Sequence, residues 1–206
     1  MDSAAVEAKG YQPIKADLDR LNNMNSTTDV LREITNLRIT GSGGALFGMG
    51  VGPDRKNVIK YIPNIGQGGT TLPDRDYYLK DDTRSTTIRN AYKNYLQKMF
   101  ALVGENATTA AASAASVLKI ETTLANAQMT RIQMRNPNAT YNKFAVKDLT
   151  ATTPNMNWAM ILNDSKIVGA DSVVVGNPAF LKTANDMLTS VPVQDWKSYL
   201  RWNLIK

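Results

Sequence analysis

The chain has 206 residues, of which 43% are hydrophobic and 20% charged, so its composition is that of a folded domain rather than of a disordered segment. It contains no cysteine and no histidine, which excludes disulfides, thiolate chemistry, a Ser-His-Asp triad and any zinc site built on histidine. The net charge is +6 without any run of more than two Lys or Arg, and no apolar stretch approaches the roughly 20 residues of a membrane span, so we predict neither nucleic-acid binding nor a membrane segment.

The chain begins with two predicted helices. Pro13 suits a first helical position, and the apolar spacing after it predicts a helix over residues 13–24. Ser26 or Thr27 can cap the next helix, because a hydroxyl oxygen there accepts a hydrogen bond from a free backbone N–H. The glycine-rich segment 41–44 is expected to end that helix.

Two strand-like apolar runs follow and predict a small β-hairpin at about residues 45–62. The hairpin and the segment before it carry several glycines, which raises the question of a phosphate-binding loop. A Walker loop needs Gly-Lys-Ser/Thr, which is absent, and a dinucleotide loop needs its glycines between a strand and a helix. We therefore favour structural turns for Gly41, Gly43, Gly44, Gly48, Gly50 and Gly52.

The second half of the chain is dominated by helical spacing. The fold class that results is mainly α, a multi-helix domain with a small β-hairpin at about residues 45–62 and a short extra strand near residues 172–175. The predicted elements are helices over 83–103 and 105–135, a loop-like stretch over 136–157, a short helix over 158–162, and helices opened by Asn177-Pro178 and by Pro192.

One acid interrupts an apolar helical stripe. Glu121 lies among alanines, valine and leucines of the predicted helix 105–135. It is either a catalytic carboxylate or a buried acid paired with an Arg or Lys of another helix, and we favour the second because no partner carboxylate is evident. Asp81 and Asp82 are interpreted as a helix start rather than a metal site.

Six segments together resemble the N-terminal region of zinc endopeptidases of the neprilysin and endothelin-converting-enzyme family. The most specific, from Leu72 to Tyr78, reads L-P-D-R-D-Y-Y and is similar to the family's L-P-x-R-D-Y-Y block. All six occur in the family's order and at compatible spacing. The other five are 47–57, similar to a strand ending in V-G-x-D-x-K-N; 120–125, similar to E-x-x-L/I-A; 136–142, similar to N/D-P-x-x-x-Y-N; 173–175; and 200–202.

This resemblance implies a fragment of a bacterial zinc metalloendopeptidase. Residues 1–206 would be part of the N-terminal helical domain that covers a thermolysin-like catalytic domain, encloses its cavity and restricts substrates to peptides. The parent enzyme would hold zinc through H-E-x-x-H and a later E-x-x-x-D, both beyond this chain, so the implied partners are peptide substrates and the parent's own C-terminal catalytic domain. The chain itself has no catalytic residue, metal ligand or cofactor in this interpretation. A bacterial parent belongs in the cell envelope, the periplasm or outside the cell, while the chain alone leaves the compartment open.

Three further residues receive roles through the resemblance. Alignment of residues 6–10 places Lys9 where mammalian members carry an Arg that meets the substrate's C-terminal carboxylate, although Lys lacks the bidentate fork of Arg. A solvated surface lysine is the alternative. Arg75 and Asp76 are expected to form structural contacts, as an ion pair or a lock on the turn, rather than to touch substrate.

A function of another class stays open on the residues alone. A freestanding, basic, helical interaction module for an acidic partner would have the same composition and the same helical spacing. The two hypotheses differ in whether the native polypeptide continues into a domain that carries H-E-x-x-H.

Overall fold

The computed structural model describes residues 3–42 and 44–206, so Gly43 of the glycine-rich turn lies outside the described residues, as do Met1 and Asp2. The described chain is mainly α-helical and has one small sheet, as the sequence predicts. Its helices are α1 Ser3–Lys9, α2 Lys15–Asn22, α3 Thr27–Ile39, α4 Asp76–Leu79, α5 Thr83–Leu102, α6 Ala107–Ala127, α7 Arg131–Met134, α8 Val146–Thr152, α9 Trp158–Asp164, α10 Pro178–Ser190 and α11 Val193–Ile205. Its strands are β1 Phe47–Asp54, β2 Asn57–Gln67, β3 Asn142–Ala145 and β4 Ser172–Val175.

Several helices begin where the sequence predicts a cap. The Ser26 hydroxyl accepts a hydrogen bond from the backbone N–H of Asp29, and the Asp29 carboxylate accepts one from the backbone N–H of Ser26. Helix α3 therefore starts with a complete capping box. The Asp82 side chain caps α5 by accepting from the backbone N–H of Ser85, and Asn177 caps α10 directly before Pro178. These short-range bonds explain why the helix starts are readable from the sequence.

The hairpin and the extra strand are both present, and they belong to one sheet with the order β1-β2-β4-β3. β1 and β2 pair antiparallel, β2 and β4 pair parallel, and β3 adds antiparallel to the far side of β4. The edge strand β3 and helix α8 lie in residues 136–157, which we expected to be a loop, so that expectation was wrong. Four-residue β3 is too short for its alternation to stand out in the sequence.

The single helix expected over residues 105–135 is also wrong. α6 ends at Ala127, Gln128 is extended, and a separate short helix α7 starts behind a capping box between Thr130 and Gln133. The Gln128 side chain donates to the carbonyl of Gly68 at 3.2 Å. This tertiary contact between distant segments ends a helix that local propensity would have continued.

Two hydrophobic clusters form the core, and α11 takes part in both. The larger one lies among α3, the sheet, α9, α10 and α11; the smaller one lies among α4, α5, α6 and the end of α11. Trp196, Tyr199 and Leu200 enter the first, and Trp202 enters the second. A buried side chain of this size contributes about 1.5–3 kcal/mol, so α11 is a principal link between the two clusters.

Tyr199 also joins the two ends of the hairpin. Its hydroxyl accepts from the backbone N–H of Leu46 at 3.0 Å and donates to the carbonyl of Gly69 at 2.7 Å. Gly69 has φ +78°, and a Cβ there would lie 2.8 Å from the Leu46 carbonyl, from the Leu124 side chain and from the Tyr199 hydroxyl. Only glycine fits this position, where the chain leaves β2 and enters the segment that contains the L-P-D-R-D-Y-Y block.

Candidate functional site

Glu121 is the centre of a buried polar cluster. The stripe of α6 that carries it faces the core, and its side chain is 0% exposed. The carboxylate accepts from the hydroxyls of Tyr78 at 2.7 Å, Tyr92 at 2.9 Å and Thr71 at 2.7 Å. Trp202 extends the cluster by donating from Nε1 to the Thr71 hydroxyl at 2.9 Å.

The expected ion pair of Glu121 with an Arg or Lys is not found among the described residues, although the charge of Lys206, directly after α11, acts on Glu121 from beyond ion-pair distance. Three hydroxyl donors from α4, α5 and the segment before α4 satisfy the carboxylate instead. Burial raises the pKa of Glu121, while the hydrogen bonds from Thr71, Tyr78 and Tyr92 oppose that rise. This full set of donors supports a structural role, and a side chain with no exposed surface offers no approach to a substrate.

The same cluster explains the L-P-D-R-D-Y-Y block. The Tyr78 hydroxyl that donates to Glu121 also accepts from the backbone N–H groups of Thr71 and Leu72, at 3.0 and 2.8 Å. Burial, with the nearby Glu121 charge, raises the pKa of Tyr78, so it remains a hydroxyl donor at neutral pH. The start of the block is thereby tied through one tyrosine to the middle of α6.

Arg75 and Asp76 take different partners and form no ion pair with each other in the described chain. Arg75 donates to the carbonyls of Ala125 and Asn126 at 3.1 and 3.3 Å, and so satisfies backbone acceptors at the end of α6. Asp76 pairs with Lys80 at 2.7 Å. Of the two arrangements expected, the ion pair is absent, and Arg75 bonds to a helix end.

Lys9 does not join this cluster. It is exposed in the last turn of α1, and within the described residues no hydrogen bond or ion pair of its side chain is found. The geometry therefore leaves both interpretations of Lys9 open, the substrate contact and the solvated surface lysine.

A second buried carboxylate was missed by sequence reasoning. Asp54, at the turn of the β1–β2 hairpin, is 1% exposed and accepts from Tyr141 at 2.7 Å, from Lys143 at 2.9 Å and from the backbone N–H of Lys56 at 2.9 Å. The Tyr141 hydrogen bond, followed by those of Lys56 and Lys143, holds the pKa of Asp54 well below its usual range. Asp54 and Tyr141 both stand in segments that resemble family blocks, which was the available signal.

An open cleft lies beside Asp54. It has a volume of about 430 Å³ and separates the end of the hairpin from residues 166–172. Val51 and Tyr61 line its hairpin side, Val168 lines the opposite side, and its charged lining includes Lys60, Lys166 and Asp171.

The residues present do not fit a zinc site. Within residues 3–42 and 44–206 no group of three or more acidic side chains lies close enough together to hold a metal ion. Both oxygens of Glu121 and both oxygens of Asp54 already accept hydrogen bonds from protein groups. No helix in the same residues combines the length and apolarity that a membrane crossing requires.

Comparison with known proteins gives a consistent picture. A model of the N-terminal part of peptidase family M13 matches residues 1–206. Neprilysin-3 of Drosophila melanogaster is 28% identical over 218 residues, covering 100% of this chain and 27% of that protein. Endothelin-converting enzyme-like 1 of Rattus norvegicus is 28% identical over 169 residues, covering 80% of this chain and 22% of that protein.

A solved structure extends the likeness to three dimensions. The zinc metalloprotease Zmp1 of Mycobacterium tuberculosis in complex with an inhibitor superposes with a TM-score of 0.91 at 29% identity, covering 98% of this chain and 31% of that one. The chain thus spans less than a third of the length of each of these three proteins.

Proposed function

The chain belongs to peptidase family M13, as an N-terminal region of a zinc metallopeptidase, and from this membership we propose that residues 1–206 are part of a helical domain covering the active-site cavity of a larger enzyme. The enzyme would hydrolyse peptide bonds, and the covering domain would admit peptides and exclude folded proteins. The observation that carries the proposal is the match of nearly the whole chain to only 31% of a zinc metalloprotease.

The residues of this chain indicate which parts of the enzyme it would supply and which it would not. Zinc would supply the activated water in the parent, and its ligands lie outside these 206 residues, which contain no histidine and, as far as they are described, no acidic metal cluster. This chain would contribute a rigid part of the domain that covers the active-site cavity. The Glu121 cluster supports that role, since fully satisfied buried polar networks favour one rigid arrangement.

Metal content and turnover of the isolated chain test this division. We expect no tightly bound zinc after dialysis and no cleavage of a fluorogenic peptide. Stoichiometric zinc or chelator-sensitive turnover in the 206-residue chain would contradict the proposal. A native polypeptide of 22.6 kDa without any zinc domain would instead favour the freestanding interaction module.

Substrate size tests the covering role in the parent enzyme. One cleavable sequence is offered as a short peptide, in a loop of a folded carrier protein, and in the same carrier after unfolding and fragmentation. We expect rapid cleavage of the peptide and of the fragmented carrier, and little cleavage of the folded carrier. Equal rates for the peptide and the folded carrier would remove the covering role while leaving the family assignment intact.

Lys9 has its own test within this proposal. If its ammonium group meets the C-terminal carboxylate of a substrate, Lys9→Ala in the parent should weaken the binding of peptides with free C-termini. The expected loss of binding free energy is about 1.5–3 kcal/mol, the value of a charge-assisted hydrogen bond. Amidated peptides should respond little. Equal effects on both kinds of peptide would assign Lys9 to the solvated surface.

A further inference from the structure

The free end of the β1–β2 hairpin carries an unusual amount of exposed apolar surface. Eleven large hydrophobic side chains of the described residues are exposed, and five of them lie here or directly across the cleft. Single exposed hydrophobics are ordinary, whereas a contiguous group marks a contact surface. We call this group the hairpin-end patch: Val51 (54% exposed), Val58 (71%), Ile59 (86%), Tyr61 (73%) and Val168 (91%).

The patch lies at an irregular part of the hairpin. The antiparallel register pairs Pro53 with Tyr61 and Asp54 with Asn57, so Val58 and Ile59 fall outside the paired positions. An irregularity of this kind bends a strand and changes the direction of its side chains. The apolar side chains of this segment are exposed instead of packing on the core.

The charges beside the patch define the chemistry of the occupant. Asp54 is paired with Lys143, which leaves Lys60, Lys166 and one carboxylate, Asp171, as the other charged residues that line the cleft. In the described chain neither lysine forms an ion pair, and together they outnumber Asp171, so the lining keeps a positive excess. The cleft fits a segment that presents apolar side chains next to a carboxylate.

We propose that the hairpin-end patch and its cleft dock onto the zinc-bearing remainder of the parent polypeptide, through a segment with apolar side chains and an acidic residue. This inference rests on the proposed function. The chain covers 31% of the zinc metalloprotease and 27% of the neprilysin that it resembles, so in such proteins more than two thirds of the polypeptide is available as a partner. That partner is present at one copy per chain, and its covalent attachment gives it a high effective concentration.

Because the chain contains no cysteine, a single introduced thiol can report the accessibility of the hairpin-end patch. Ile59→Cys introduces a thiol at the patch, and its maleimide labelling rate, read by peptide mass spectrometry, is compared between the isolated chain and the parent. Ile132→Cys is the matched control, because Ile132 is 78% exposed and lies on α7, outside the patch. We expect the parent to slow labelling at position 59 at least tenfold and at position 132 less than threefold.

A second variant tests the charges. In the Ile59→Cys parent, the pair Lys60→Glu and Lys166→Glu should restore labelling toward the rate of the isolated chain, because the docked carboxylate would then meet like charge. The pair Lys60→Gln and Lys166→Gln should restore it less. No difference between the Glu and Gln pairs overturns the acidic part of the assignment.

Other binding partners of the hairpin-end patch would give different results in the labelling experiment. Equal labelling of position 59 in the isolated chain and the parent overturns the proposal, even where the parent is an active peptidase. Protection of the isolated chain that grows with its concentration assigns the patch to a second copy and overturns it. Protection by vesicles of phosphatidylserine assigns it to an anionic lipid surface, with the same consequence. A source polypeptide that carries no zinc domain refutes the proposed function itself, which is a separate outcome.

Discussion

The surroundings of Glu121 and the end of the β1–β2 hairpin each bury one carboxylate, but they stabilise it in different ways. Glu121 lies in the interior and accepts three hydroxyl hydrogen bonds, and its pKa is raised by burial. Asp54 lies at a turn and accepts from Tyr141, Lys143 and a backbone N–H, and its pKa is lowered by those bonds. The first region is closed by aromatic side chains, whereas the second is bordered by exposed and mostly aliphatic side chains.

The difference separates what holds this chain together from what it offers to a partner. A buried acid without a direct ion pair is tolerated only where the surrounding donors are fixed, so the Glu121 cluster requires the complete fold around it. The hairpin end makes a smaller demand, because Asp54 has the Lys143 ammonium group as a counter-charge, and the side chains of the patch are exposed. Substitutions in the first region should therefore change the stability of the isolated chain, and substitutions of the exposed side chains in the second should change mainly its associations.

The largest expected effect is at Gly69, beside the Glu121 cluster. Gly69→Ala adds a methyl group 2.8 Å from three neighbouring atoms at φ +78°. We expect a loss of about 3–5 kcal/mol in the free energy of unfolding, combining about 1–3 kcal/mol of backbone strain with a similar cost of overpacking. Urea denaturation of the isolated chain measures it.

The control for this prediction lies in the hairpin. A Cβ at Gly50 would meet nothing within 4 Å, and its φ is not in the left-handed region. Gly50→Ala should leave the free energy of unfolding unchanged or raise it by about 0.4–1 kcal/mol. Losses of similar size at both glycines would mean that the two regions do not differ as described.

A smaller loss is expected at Glu121 itself. Glu121→Gln keeps the volume but turns one acceptor oxygen into an amide that donates, so one of the three hydroxyls loses its acceptor. The expected destabilisation is about 1–3 kcal/mol, the cost of one unsatisfied buried group. Glu7→Gln on the exposed face of α1 is the matched control and should change stability by less than about 0.5 kcal/mol.

Activity decides between the two interpretations of Glu121. If Glu121→Gln leaves thermal stability unchanged in the isolated chain but abolishes peptide cleavage in the parent, the carboxylate acts in chemistry after all. Reduced stability in both proteins, with cleavage retained by the folded fraction, supports the structural role.

The two carboxylates should respond to pH in opposite directions. The lowered pKa of Asp54 means that its contribution to stability is complete above the ordinary value of 3.8 and is lost as the pH falls through the folded-state pKa. The raised pKa of Glu121 means that its contribution is complete below the ordinary value of 4.5 and is lost as the pH rises through the folded-state pKa.

Free energies of unfolding measured from about pH 1.5 to pH 8 separate these contributions. Asp54→Asn should flatten the acid side of the stability curve relative to the unsubstituted chain. Glu121→Gln should remove the decline that sets in above about pH 4.5. Parallel curves for both variants and the unsubstituted chain would show that neither carboxylate titrates differently in the folded and unfolded states.

The sequence predicts best what short-range patterns decide. The caps at Ser26 and Asn177, the hairpin and the strand at residues 172–175 all depend on residues within a few positions of one another. The burial of Glu121 also follows from its place in an apolar helical stripe.

What the sequence could not supply are partners far along the chain. The donors to Glu121 come from Thr71 and Tyr78, which are 50 and 43 residues away, and local periodicity contains no information on such pairs. The break after Ala127 has the same origin, since Gln128 bonds to Gly68 at a separation of 60 residues. The Asp54–Tyr141 hydrogen bond spans 87 residues, so the resemblance of each segment to a family block did not predict that the two segments are in contact.

The smallest expected effect is at the hairpin-end patch, and it is the sharpest test of the contrast between the two regions. Ile59 and Ile65 stand in the same strand, but Ile59 is 86% exposed and Ile65 is 2% exposed. Ile65→Ala should cost about 2–5 kcal/mol because it leaves a cavity in the core. Ile59→Thr should change the free energy of unfolding of the isolated chain by less than about 0.5 kcal/mol, because no contact within the chain is lost. A stability loss at Ile59 comparable to that at Ile65 would show that the hairpin end is packed within this chain, and the patch would then need no partner.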